Sequence, residues 1–100
     1  MSCTVIVKPL AEQDATAAYD YYESLITGLG SRFLGELDRV LELISDHPEM
    51  YQEVLPGVRR ALTRVFPYGV FYAFEENTAF ITAIVADTQD PTRWQSRTGI

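Results

Sequence analysis

RRALTRVFPYGVFYAFEENTAFITAIVADTQDPTRWQSR, residues 59–97, alternates apolar runs with short polar turns in the manner of successive strands. Arg59 to Val65 mixes arginine with Ala61, Leu62, Thr63 and Val65 and predicts a strand. After Pro67, Val70-Phe71-Tyr72-Ala73-Phe74 predicts a second strand and Thr78 to Ala86 a third. The polar Glu75-Glu76-Asn77 between the last two predicts a hairpin turn, with asparagine the residue best able to accept a positive φ. Asp90-Pro91 then supplies an N-cap and a first helical residue, predicting a short C-terminal helix with Trp94 and Arg97 three apart on one side.

Working outward, the first half predicts a strand and a helical hairpin. Thr4-Val5-Ile6-Val7-Lys8 is a β-branched run stopped by Pro9, which suits the first turn of a helix because its missing N–H is not needed there. Ala11, Ala15, Ala18, Tyr22, Leu25, Ile26 and Leu29 recur at three- and four-residue spacing, with Glu12, Asp14, Asp20 and Glu23 placed largely outside the stripe. Gly28 and Gly30 interrupt this helix and Ser31 is expected to cap the next, whose stripe is Phe33, Leu37, Val40, Leu41 and Ile44, with Pro48 ending it. The expected architecture is α+β: a strand, a two-helix hairpin, then an antiparallel three-stranded sheet with a short C-terminal helix.

One hundred residues with 47% hydrophobic content predict a single domain over 1–100. No run of the sequence approaches the length of a membrane span and no signal-peptide pattern opens it, so a cytoplasmic location without membrane attachment is expected. One cysteine, Cys3, and one histidine, His47, give no ligand cluster, and no metal or cofactor is expected. The net charge of -6 is unevenly placed. Residues 1–50 carry three basic and nine acidic side chains, whereas residues 51–100 carry five arginines and five acids. A general nucleic-acid binder would need a basic footprint that the chain as a whole does not have.

In the order and spacing of Arg59, Arg60, Arg64, Phe66-Pro67-Tyr68, Asp90-Pro91, Trp94 and Arg97 behind two amphipathic helices, the chain resembles the RelE/ParE toxins of type II toxin-antitoxin (plasmid stabilisation) modules, from about Val5 to Arg97. The resemblance implies a toxin held inactive by a cognate antitoxin whose tail folds onto it, and two mechanisms. One is ParE-like inhibition of a target such as DNA gyrase by binding; the other is RelE-like, ribosome-dependent cleavage of mRNA. A degenerate member that binds only its antitoxin is a third reading. Ala86-Asp87-Thr88-Gln89 stands where many relatives carry a histidine and further basic residues, and with the acidic balance this favours the non-enzymatic reading.

The expected antitoxin- or target-binding residues are Arg59, Arg60, Arg64, Trp94 and Arg97; if the chain is a nuclease, Arg60, Arg64 and Arg97 are the candidates for stabilising phosphate charge. Strand alternation would put Arg60 and Arg64 on one face and Arg59 on the other. An ordinary alternative is that these arginines pair with the acidic helices. His47 before Pro48 reads as a helix-terminal residue, Tyr19, Tyr21 and Tyr22 as packing residues, and Phe66-Pro67-Tyr68-Gly69 as a rigid corner with both rings on the helices.

Overall fold

Thr4–Val7 forms β1, and Pro9 follows as the first residue of α1 (Pro9–Leu25). The computed structural model describes residues 2–86. Beyond α1 these comprise α2 (Leu29–Asp46), β2 (Glu53–Leu55), β3 (Val58–Leu62), β4 (Tyr68–Glu75) and β5 (Thr78–Ala86). The C-terminal helix expected after Asp90 lies outside the described residues.

The strands form one sheet in the order β1-β5-β4-β3-β2. β2 to β5 are an antiparallel meander, and β1 lies parallel to β5 with Val5 opposite Ala79 and Val7 opposite Ile81. The α+β arrangement stands, but the three expected strands are the middle of a five-stranded sheet. β2 was not expected; it pairs with β3 through the two-residue turn Pro56-Gly57, where Gly57 has φ 79° and proline fixes the preceding φ. At the other hairpin both central residues take positive φ, Glu76 at 50° and Asn77 at 60°, between paired Glu75 and Thr78. That is the geometry whose twist matches the flanking strands, so Glu76 shares the strain expected of Asn77 alone.

Both helices pack on one face of the sheet. Phe33, Leu37, Val40 and Ile44 of α2 are buried against Ala61, Val70, Tyr72, Ala79, Ile81 and Ile84. α1 contributes small residues, Ala11 and Ala18, which let it lie close over β5. Two details depart from the expected stripe. Asp14, placed among the solvated acids, is buried, and its carboxylate accepts the Ile84 backbone N–H at 3.0 Å; this fastens α1 to β5 near the irregular Phe71/Tyr72 register. Leu25 and Ile26, placed on the buried stripe, are exposed because the chain leaves the helix there: Ile26 is already extended, at φ -147°.

The hairpin turn is held by an acid rather than by Ser31. α2 starts at Leu29 with Gly28 at its N-cap in the left-handed region, φ 91°, and the Glu23 carboxylate accepts N–H groups from both Gly28 (2.8 Å) and Gly30 (3.0 Å). Two otherwise orphaned donors at the helix start thus meet a negative charge, the sign that the helix dipole favours. Gly30 is required by a close approach: a Cβ there would sit 2.7 Å from the Tyr19 carbonyl oxygen.

Candidate functional site

The three strand arginines do different jobs. Arg59 points to the helix side, where its guanidinium donates to the backbone carbonyls of Glu49 (3.1 Å) and Tyr51 (2.5 Å) and lies 3.9 Å from Glu53. Those bonds tie the α2–β2 connection to β3. The same connection is fixed by Tyr72, a fully buried ring whose hydroxyl donates to the Pro48 carbonyl at 2.7 Å, and burial pushes its pKa up to about 12. Arg59 is therefore engaged with the backbone of this connection.

Arg60 lies on the opposite face, exposed, opposite Phe71 in the pairing of β3 with β4. Its methylene stem crosses Gly69, where a Cβ would come 3.2 Å from Arg60 Cδ, so this glycine makes room for the side chain. Among the described residues its guanidinium makes no hydrogen bond or ion pair. It is presented to solvent beside the apolar side chains of Val58 and Phe71.

Arg64 is not brought to Arg60 by strand alternation, because β3 ends at Leu62 and Arg64 belongs to the corner that follows. There its backbone N–H donates to Glu36 Oε1 of α2 at 2.8 Å. Glu36 also takes the Arg39 guanidinium at 2.8 Å, not Arg32 one turn back. The Arg39 bond first, and the Arg64 N–H second, hold the Glu36 carboxyl below its ordinary range, while the same pairing raises Arg39. The Arg64 side chain is exposed and, like that of Arg60, makes no hydrogen bond or ion pair among the described residues. Among the described residues the structure thus separates the arginines into one that braces a connection and two whose guanidinium groups make no bond, at different places. Trp94 and Arg97 lie outside the described residues.

The Phe66-Pro67-Tyr68 corner is a packing device. Thr63 Oγ1 hydrogen-bonds the Phe66 carbonyl, the Tyr68 N–H donates to that carbonyl at 2.8 Å, and the Thr63 N–H donates to the Tyr68 carbonyl at 3.0 Å. This turns both rings inward: Phe66 lies 4.7 Å from Tyr22 and 5.5 Å from Phe33 between centroids, and Tyr68 lies 5.0 Å from Phe33. Around that cluster Tyr21, Leu25, Ile26 and Val65 remain exposed. This apolar patch at the end of the helical hairpin has no counterpart in the sequence-based site assignment. The exit of the chain from α1 at Ile26, where the helix was expected to end ahead of Gly28, leaves these side chains uncovered.

His47 is the C-cap of α2 and Pro48, next to it, receives the Tyr72 hydroxyl, which puts the histidine on the helix side of the sheet and Arg60 on the other. Among the described residues no group of three or more His, Cys, Asp or Glu side chains is arranged to hold a metal, and no helix is long and apolar enough to cross a membrane.

Comparison with known proteins agrees with this architecture. The chain is similar in fold to a protein of a chromosomal ParDE toxin-antitoxin system from P. aeruginosa, with a TM-score of 0.64 and 19% identity over 85% of this chain and 96% of that one. No curated protein matches the sequence significantly. Residues 5–91 match the family model described as the ParE toxin of the type II toxin-antitoxin system parDE. With most of its length matched, the chain belongs to the ParE toxin family.

Proposed function

We propose that the chain acts by binding and inhibiting a macromolecular target such as DNA gyrase, and that a cognate antitoxin neutralises it. The observation that carries the non-enzymatic reading is the separation of Arg60 from the chain's one histidine by the thickness of the sheet. Cleavage of RNA by proton transfer needs a base within hydrogen-bond reach of the ribose hydroxyl, beside the groups that take up phosphate charge. Arg60 supplies a cation without an imidazole on its face. The net charge of -6 further weakens any general attraction to RNA. Binding of a protein target through a planar, exposed guanidinium matches the composition of interface anchors.

The antitoxin's seat is proposed at the hairpin end, where Tyr21, Leu25, Ile26 and Val65 are exposed together above the buried aromatic cluster. An amphipathic segment that folds on docking would bury these side chains. The test has two arms. Purified chain is titrated into a DNA gyrase supercoiling reaction, alone and after co-purification with a candidate antitoxin. Inhibition by the free chain, relief by the partner, and weaker inhibition by Arg60→Ala are expected. A chain without effect on gyrase that cleaves mRNA on translating ribosomes would establish the RelE-like reading instead.

A further inference from the structure

Arg60 and the hairpin-end patch lie on opposite sides of the sheet, and the corner between β3 and β4 joins them. β3 carries Arg60 and Leu62 on the face away from the helices and stops there. The chain then climbs to the helix layer: the Arg64 N–H donates to Glu36 of α2 at 2.8 Å, and the Phe66 ring meets Tyr22 of α1 at 4.7 Å between centroids. Tyr22 in turn lies 5.2 Å from the ring of the exposed Tyr21. Residues 62–66 therefore cross from one side of the domain to the other.

The corner buries what holds the turn and exposes the rest. Thr63 and Phe66 are buried, whereas Leu62 is 48% and Val65 68% exposed, the latter more than Leu25 or Ile26 of the hairpin patch. Exposed apolar side chains scattered singly are ordinary, but these two stand in line between that patch and Arg60. Cations accompany them. Arg64 precedes Val65 in the chain, and Arg60 leans towards Leu62: its Cδ and Cγ lie 3.2 and 3.4 Å from where a Cβ of Gly69 would stand, and Gly69 is the residue opposite Leu62 in the pairing of β3 with β4. Neither guanidinium makes a hydrogen bond or ion pair among the described residues, in a chain that carries 14 acidic side chains.

We propose that the antitoxin occupies this line as one continuous segment: an amphipathic helix on Tyr21, Leu25 and Ile26, then an extended acidic stretch that lays apolar side chains on Val65 and Leu62 and carboxylates on Arg64 and Arg60. This rests on the hairpin end being the antitoxin's seat, and it supplies what that seat alone lacks, since a helix confined to the hairpin end would leave Arg60 open to the target on the other face. Passage over the corner makes neutralisation direct, because the segment takes the guanidinium that the target would use. Arg60 and Leu62 stand about 7 Å apart along the strand, and the three residues from Leu62 to Val65 span about 10 Å at most. About six extended residues cover that line. Carboxylates match the planar guanidinium groups in pairs of parallel hydrogen bonds, whereas lysines at the same places would be repelled.

The full-length chain, immobilised, is presented with a random peptide library. Enriched peptides are then titrated against the parent and against Leu25→Lys, Leu62→Lys and Arg60→Glu, whose folds are checked by far-ultraviolet circular dichroism. All three positions are exposed, so the substitutions leave the core intact. The enriched peptides should carry apolar residues at helical spacing followed by Asp or Glu, and each variant should weaken their binding by about tenfold or more. Exchanging the acidic residues of a peptide for lysine should restore its binding to Arg60→Glu alone. Peptides that Leu25→Lys abolishes but that bind Leu62→Lys and Arg60→Glu as they bind the parent would overturn the continuous segment and leave the hairpin seat standing. Peptides insensitive to all three variants, or no enrichment at all, would overturn seat and segment together.

Discussion

Replacing Gly30 and Gly35 by alanine, one at a time, should change stability in opposite directions. Both glycines lie in α2, where the missing Cβ costs about 0.5–1 kcal/mol relative to alanine in a helix interior. At Gly35 an added Cβ meets nothing within 4 Å, so that cost is recovered and the protein gains about 0.5–1 kcal/mol. At Gly30 the Cβ would stand 2.7 Å from the Tyr19 carbonyl oxygen, 2.8 Å from Tyr19 Cδ1 and 2.9 Å from Glu23 Oε1. The first is backbone and cannot swing away, so α1 and α2 must move apart at their closest approach. Overpacking of this kind costs about 1–3 kcal/mol. A domain of this size shifts its melting midpoint by about 4–8 °C per kcal/mol. Thermal melts should therefore place Gly35→Ala above the parent by a few degrees and Gly30→Ala below it by roughly 4–24 °C. A Gly30→Ala protein melting at or above the parent would refute the close approach and, with it, the helical hairpin as described.

Three further outcomes follow from named bonds. Tyr72→Phe leaves the Pro48 carbonyl without its donor and should cost about 1 kcal/mol in a denaturant titration; in the parent, the pKa raised from 10.0 to about 12 means stability should fall as pH rises through that interval. The Glu36 carboxyl is held below its ordinary value of 4.5, so its bonds to Arg39 and the Arg64 N–H contribute fully above that pH and are lost as pH falls below it. Acid titration of Glu36→Gln should lack that component, and an unchanged profile would show that the bonds do not persist in solution. Arg59→Ala should lower the melting midpoint by releasing the Glu49 and Tyr51 carbonyls, whereas Arg60→Ala should leave it nearly unchanged.

The strongly periodic parts of the fold were legible because burial imposes a period. Phe33, Leu37, Val40 and Ile44 announce α2, Pro9 and Pro48 mark where the helical region starts and stops, and Asn77 marks a hairpin. What remained hidden depends on tertiary neighbours. Asp14 looks like any surface acid until the Ile84 N–H is brought to it from seventy residues away. Glu23 replaces Ser31 as the cap because the turn folds its carboxylate back over Gly28 and Gly30. β2 is three residues long, too short for alternation to show, although Pro56-Gly57 was a readable sign of the turn behind it.

The arginine cluster illustrates the same limit within the candidate site. Sequence spacing treats Arg59, Arg60 and Arg64 as one group on one strand. The strand stops at Leu62, and a carboxylate on α2 takes the Arg64 backbone to the other layer. Of the three, Arg60 alone stands on the face away from the helices, where its guanidinium is offered to solvent.

The proposed action of this ParE-family chain is binding of a target and not cutting of RNA. The most direct measurement is induction of the chain by itself in cells carrying a translated reporter message, with DNA synthesis followed by labelled-thymidine incorporation and the message mapped by primer extension. DNA synthesis should stop while the message stays intact at every codon. Cleavage of the message between codon positions at the ribosomal A site, with DNA synthesis continuing, would contradict the claim.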